Sequence, residues 1–201
     1  MEVLQREIDE CSVKKDRAGK LLNGLGGEKQ KWLVCNRMID KRFVTIQGDV
    51  LMGAAFITYL SPFTQKFRER TVERWSDMIS ASGIAIQDNF IFNRIFGDPI
   101  KIKEWNFNGL PSDSFSIQNA IVIEKSPKQS ICIDPQYQAN KWIKMQEAGN
   151  LKVLNFGDNN FSQNLEFAIK FGKKVLIENI GEKVDLVLYP LIKREFSTEA
   201  G

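Results

Sequence analysis

Two short stretches hold residues whose types and spacing could do phosphate chemistry. The first runs from Pro135 to Trp142 and can be laid against the pattern G-x-x-x-x-G-K-[ST], with Pro135, Asn140, Lys141 and Trp142 at the informative positions. In such a loop the glycines let backbone N–H groups close around phosphates, the lysine reaches the outer phosphates, and the Ser/Thr hydroxyl holds magnesium. Of the four positions only Lys141 keeps the required type. Pro135 has no N–H to give, and Trp142 has no oxygen for a metal. The second stretch is Glu178-Asn179, after the apolar run Val175 to Ile177. A nucleotide-hydrolysing fold carries an Asp-Glu pair there, the first acid steadying magnesium and the second orienting the attacking water. Both positions are shifted here. The expectation is a degenerate nucleotide site at Pro135, Asn140, Lys141, Trp142, Glu178 and Asn179, with no catalytic residue and no metal ligand.

The remaining composition narrows the chemistry further. The chain has 201 residues and no histidine, which removes Ser-His-Asp and Cys-His nucleophiles, His-ligated zinc and a histidine base. Cys11, Cys35 and Cys132 have neither paired nor metal-ligand spacing, and each lies among apolar neighbours, which fits a reducing, intracellular compartment. A net charge of +3, with bases and acids interleaved, gives no stripe for nucleic acid. The longest apolar run, Val50 to Leu60, is too short to span a membrane and contains Gly53 and Thr58, and Met1 opens no signal sequence.

Three kinds of element must position these residues. Leu4, Ile8, Cys11, Lys15, Ala18, Leu22 and Leu25 fall at alternating spacings of four and three, the seam of a coiled coil or the face of an amphipathic helix end. Gly26-Gly27 is expected to end that helix. A helical bundle should follow: an apolar face of Trp32, Leu33, Cys35, Met38 and Ile39, then a buried helix over Val50 to Leu60. Next comes a helix opened by Ser61-Pro62, with Phe63, Phe67, Val72, Trp75, Met78 and Ile79 inward. Lys66, Arg68, Glu69, Arg70, Glu73 and Arg74 read as its solvated face. After Gly83 the composition changes. Phe96-Gly97-Asp98-Pro99 and Asn108-Gly109-Leu110-Pro111 punctuate short extended pieces, and Ile121 to Ile123 reads as a strand. Strands at Ile131 to Ile133, Val153 to Phe156 and Val175 to Ile177 then alternate with helices at Gln138 to Gln146 and Phe161 to Phe171, a pattern for a parallel sheet covered on both faces.

The runs LLNGLGGEKQKW (21 to 32), GDVLMGAAFITYLSPFTQKFR (48 to 68), GDPIKIKEWNFNGLPSDSFSIQNAIV (97 to 122), IDPQYQANKWIK (133 to 144) and FGKKVLIENIGEKVD (171 to 185) closely resemble dynein heavy chains. The resemblance covers almost the whole chain. It implies that residues 1–27 are the base of the returning stalk helix, and that residues 28–83 are a helical bundle, the small subdomain of the fourth AAA+ module. Residues 84–201 would be the first part of the large subdomain of the fifth. The implied fold is mixed α and α/β, a helical stalk base and bundle followed by an incomplete parallel-sheet, P-loop-like core. Where the family usually carries glycine this chain has Tyr137.

By the same resemblance, the segment would be a structural, non-hydrolysing part of an ATP-driven microtubule motor that couples the AAA+ ring to the stalk. The alternative is a module that still binds adenine nucleotide through Lys141. No cofactor is expected in the segment itself, with ATP and magnesium in other modules of a far longer parent chain. The implied partners are the remaining AAA+ modules and the other stalk helix of the same chain, the microtubule through the stalk tip, and intermediate and light chains. No nucleic acid and no membrane is expected as partner. The location would be cytoskeletal, in cytoplasm or ciliary axoneme. One further expectation is internal: Trp142 should pack into the core while Pro135, Gln136 and Tyr137 fill the space of the phosphates.

Overall fold

A computed structural model describes residues 2–193, with side chains from residue 5 onward. By contacts the chain divides into two units, Met1–Met52 with Thr71–Phe90, and Gly53–Arg70 with Ile91–Gly201. This line differs from the composition shift at Gly83, because residues 53–70 group with the later half of the chain.

Helix α1 runs without interruption from Glu2 to Ala55, so Gly26-Gly27 does not end it. A glycine stops a helix by taking a left-handed conformation just past its end, and neither residue has positive φ. The flanking Leu, Glu, Lys and Gln favour helix strongly enough to carry the chain through. Ile8, Leu22 and Leu25 lie on the exposed surface of α1; the side chain of Leu4 lies outside the described residues. The same frame continues beyond the glycines through Trp32, Ile39, Phe43, Ile46 and Val50, all exposed. The face of Trp32, Leu33, Cys35, Met38 and Ile39, expected inside a bundle, is therefore open among the described residues, and Cys11, Cys35 and Cys132 are exposed as well. The continuous helical stretch Gln5–Leu60, α1 with the turn that follows it, holds one window with mean hydropathy 1.4, long and apolar enough to cross a membrane by length and composition, contrary to the sequence expectation, although a third of that window (33%) is buried within the protein.

In the first unit, α1 is joined to the segment that follows α2 (Gln65–Ala81). A side chain at Gly48 would run into the carbonyl of Ala85 and come within 3.0 Å of Ile86 Cβ. Next to it, the buried Asp49 accepts from Thr45 Oγ1 at 2.9 Å and from the Gln87 amide at 3.0 Å. The end of α2 turns at Gly83, with φ 77°, where the Ile84 amide bonds back to the Ile79 carbonyl.

In the second unit, α1 passes into a π-helical turn, Phe56–Leu60, whose Phe56 and Leu60 are buried. The apolar run is thus buried on one side only, since Val50, Leu51 and Tyr59 remain exposed. Ser61-Pro62 does not open α2. Ser61 has helical φ and ψ, and its hydroxyl donates backward to the Ile57 carbonyl at 2.7 Å instead of capping forward. The first α2 amide bonds are accepted by the Thr64 carbonyl. Of the charges placed on a solvated face, Arg68 is buried, at 1% exposure the largest of the almost fully enclosed side chains among the described residues.

The pieces expected to be extended are helices: α3 (Phe92–Phe96), α4 (Pro99–Phe107) and α5 (Ser114–Lys125). Asp98 and Asp113 cap the last two, each accepting a backbone N–H two or three residues on, with Pro99 at the first helical position. These caps decide the region around Ile121 to Ile123, which is helix and not strand. Phe56 stacks on Phe92 with centroids 4.0 Å apart, and the ring of Phe96 lies where a side chain on Gly53 would stand.

Beyond α6 (Gln138–Gln146), β1 (Leu151–Asn155), α7 (Phe161–Lys170) and β2 (Lys174–Glu178) form a parallel crossover with Leu151 opposite Lys174 and Asn155 opposite Glu178. Leu154, Phe161 and Leu165 pack with Leu188, from a 3₁₀ turn (Leu186–Leu188) that leads into α8 (Tyr189–Lys193). Ile131 to Ile133 is not a strand among the described residues, and Ile133 is 95% exposed. An apolar triplet supplies β propensity, but a strand also needs a neighbour for its ladder. Among the described residues the sheet is thus two-stranded.

Candidate functional site

The loop before α6 is organised by an acid. Asp134 accepts the Tyr137 amide on its carbonyl at 3.2 Å, while its carboxylate takes the Gln138 amide at 3.0 Å and the Asn140 amide at 2.9 Å. The first turn of a helix offers unpaired N–H groups and a positive dipole end, the place where a phosphate would be held. Here the chain's own carboxylate holds it. Tyr137 enters the helix with φ 56°, and its ring is 65% exposed. Pro135, Gln136 and Tyr137 are exposed at the surface, so the group occupying the helix start is Asp134 and not the tyrosine ring.

Trp142 points the other way. It is buried, edge-on to Trp105 with centroids 5.8 Å apart. Such a pair adds to the burial of two large apolar surfaces. Lys141, its neighbour, is exposed. The two residues lie about 100° apart around the helix, so one faces the core and the other does not.

Glu178 stands at the carboxyl end of β2 and is answered from α6. Lys144 Nζ lies 2.7 Å from its Oε1, and Asn140 Nδ2 donates to the same oxygen. The Lys144 hydrogen bond, followed by that of Asn140, holds the Glu178 carboxyl below its usual range. Asn179, also at positive φ, donates through Nδ2 to Asn155 Oδ1 at 3.1 Å and ties together the ends of β1 and β2. The structure therefore brings Asn140 and Glu178 together, and it leaves Lys141 and Pro135 outside that contact.

Two residues that organise the site escaped the sequence reading. Asp134 carries a readable signal, a carboxylate-proline pair four residues ahead of a helix start. Lys144 carries another: it is four residues beyond Asn140 and so shares its face, whereas Lys141 is rotated away. Two amides of the helix start, those of Gln138 and Asn140, and one carboxylate oxygen of Glu178 are engaged by side chains of the same chain.

Comparison with known proteins shows the family. Residues 3–79 match the family model for the microtubule-binding stalk of dynein motor, and residues 103–201 match that for the ATP-binding dynein motor region. The chain belongs to the dynein heavy chains. It is 40% identical to dynein axonemal heavy chain 3 of Homo sapiens over 98% of its length, and 36% identical to dynein axonemal heavy chain 1 of the same species over 100%. Against the dynein-1-beta heavy chain of the flagellar inner arm I1 complex of Chlamydomonas reinhardtii it is 37% identical over 91%. The chain spans only 4 to 5% of the length of these relatives. Within a dynein heavy chain it is the stretch that links stalk to ring: α1 and most of α2 lie in the stalk match, and α5 through β2 lie in the motor-region match.

Proposed function

We propose that this dynein segment is a non-hydrolysing structural part of an ATP-driven microtubule motor, relaying rearrangement between the AAA+ ring and the microtubule-binding stalk. The observation that carries the reading is the Asp134 carboxylate on the Gln138 and Asn140 amides. A triphosphate would have to displace an anion already tethered there, and Trp142, committed to the core, brings no hydroxyl for magnesium. Lys144 and Asn140 on Glu178 support it further, because an acid so engaged is not free to serve a metal or water.

On this reading the segment works with the remaining AAA+ modules and the other stalk helix of the same heavy chain, and meets the microtubule only through the stalk tip. Intermediate and light chains would join the assembled motor. The axonemal relatives favour a cytoskeletal location in the axoneme of a cilium.

The test is nucleotide stoichiometry of the intact heavy chain. Lys141→Ala is expected to leave both the number of nucleotides bound and the ATP turnover unchanged. A second reading, adenine-nucleotide binding without hydrolysis, draws on the exposed Lys141 at the start of α6 and on the description of the matching family as ATP-binding. Loss of one bound nucleotide in Lys141→Ala, with turnover kept, would establish that reading and defeat the first.

A further inference from the structure

Arg68 is 1% exposed, and its guanidinium is met by hydrogen-bond acceptors and aromatic rings on all sides. Nε donates to the Leu60 and Phe63 carbonyls, each at 3.0 Å, and Nη2 to the Ser61 carbonyl at 2.7 Å. Across the fork, Nη1 donates to Gln118 Oε1 at 3.1 Å and Nη2 to Asn119 Oδ1 at 2.8 Å. The ring of Phe115 lies 4.5 Å below the cation and that of Phe56 5.6 Å away. Burial lowers the Arg68 pKa to about 10, which still leaves it charged at neutral pH.

Every one of these acceptors is neutral. A buried cation without a carboxylate is costly, and an apolar side chain of similar size often stabilises a core as well or better. The particular use of the guanidinium must therefore lie in what its planar fork reaches in two directions. On one side are carbonyls at and just past the π-helical turn, where a helix end leaves acceptors short of amide donors and Pro62 has no N–H to offer, although the Leu60 carbonyl also takes the Phe63 amide at 3.1 Å. On the other side are two side chains of α5, within the part matched by the ATP-binding motor region. One residue thus completes the end of the π-helical turn that continues α1 and grips α5.

We propose that Arg68 is the positioning residue through which the end of the stalk-side helix and α5 are held as one piece, so that a rearrangement of α1 reaches the α/β half through this guanidinium. The proposal rests on the relay reading above and names the contact that performs it. A lysine cannot replace the fork, because its three donors radiate from a single nitrogen.

The experiment uses the intact heavy chain, with ATP turnover measured in the absence and presence of microtubules. Two variants are compared with the parent, Arg68→Lys, and Gln118→Leu with Asn119→Leu; the second leaves the three carbonyl bonds in place. Both are expected to keep turnover without microtubules within about twofold of the parent while microtubule stimulation falls about fivefold or more. Parent-like stimulation in a folded variant would overturn the role of Arg68 and leave the relay reading standing. A parent showing no stimulation at all would overturn the relay reading and this proposal with it. If Arg68→Lys fails to fold, the α5 double variant decides by the same two outcomes.

Discussion

Lys144 Nζ and Glu178 Oε1 lie 2.7 Å apart, so the acid at the end of β2 is answered by the lysine three residues past the one in the phosphate-loop position. The pair joins α6 to the sheet, and its energetic value shows in acid. Glu178 has a folded-state pKa below its ordinary value, because Lys144 and Asn140 favour the charged form. Its stabilisation is full above the ordinary carboxylate pKa and is lost as pH falls through the lower, folded-state value. Removing Lys144, whose side chain is 42% exposed, should cost only about 0.5 to 1 kcal/mol at neutral pH. Lys144→Met should also flatten the acid limb of a stability–pH curve, and an unchanged limb would show that the pair contributes nothing.

Trp142 and Lys141 should separate in a denaturant titration. Truncating the buried ring, Trp142→Ala, is expected to cost about 3 to 5 kcal/mol, whereas Lys141→Ala at the surface should stay within about 0.5 kcal/mol. A costlier Lys141→Ala would mean that the lysine holds something the fold depends on.

The glycines of α1 divide into two kinds. At Gly26 an added side chain meets open space, and Gly26→Ala should stabilise the helix by roughly 0.5 to 1 kcal/mol. At Gly48 the same change drives a methyl into the Ala85 carbonyl, so Gly48→Ala should destabilise by about 1 to 3 kcal/mol. Thermal melts of the two variants should therefore shift in opposite directions; a matching rise would disprove the close approach at Gly48.

The seam of α1 should be conspicuous when the chain is isolated. Ile8, Leu22 and Leu25 are each more than half exposed, and such a row of apolar residues is stable only when covered. Amide exchange over residues 5–25 should be fast in a monomer, or slow together with the appearance of a dimer in sedimentation. Full protection in a demonstrated monomer would contradict this.

The parts legible in the sequence were those governed by local patterning. The helix Gln138 to Gln146 and the strands on either side of α7 follow from the alternation of apolar runs and turn residues, and they lie where that alternation puts them. What escaped depends on partners distant in sequence. Ile131 to Ile133 has the composition of a strand without a ladder neighbour among the described residues. Arg68 reads as one charge among many in its run, and the partners that cover it from α5, Phe115, Gln118 and Asn119, lie some fifty residues on. Asp98, Asp113 and Asp134 are a different case, because their capping signals were present locally and were masked by the Gly-Pro punctuation around them.

The continuity of α1 has a mechanical consequence. At about 1.5 Å per residue its 54 residues make a rod of about 80 Å. Gly19, Gly24, Gly26 and Gly27 fall close together along it, and around each the place of a side chain is open space. A rod with a glycine-rich middle has uneven bending stiffness: axial load passes through the unbroken backbone ladder, while lateral load is absorbed at that section. The helix should therefore push and pull faithfully along its axis yet yield sideways near its middle. Replacing all four glycines by alanine, in single-molecule bending measurements on the intact heavy chain, should raise lateral stiffness and leave axial transmission unchanged.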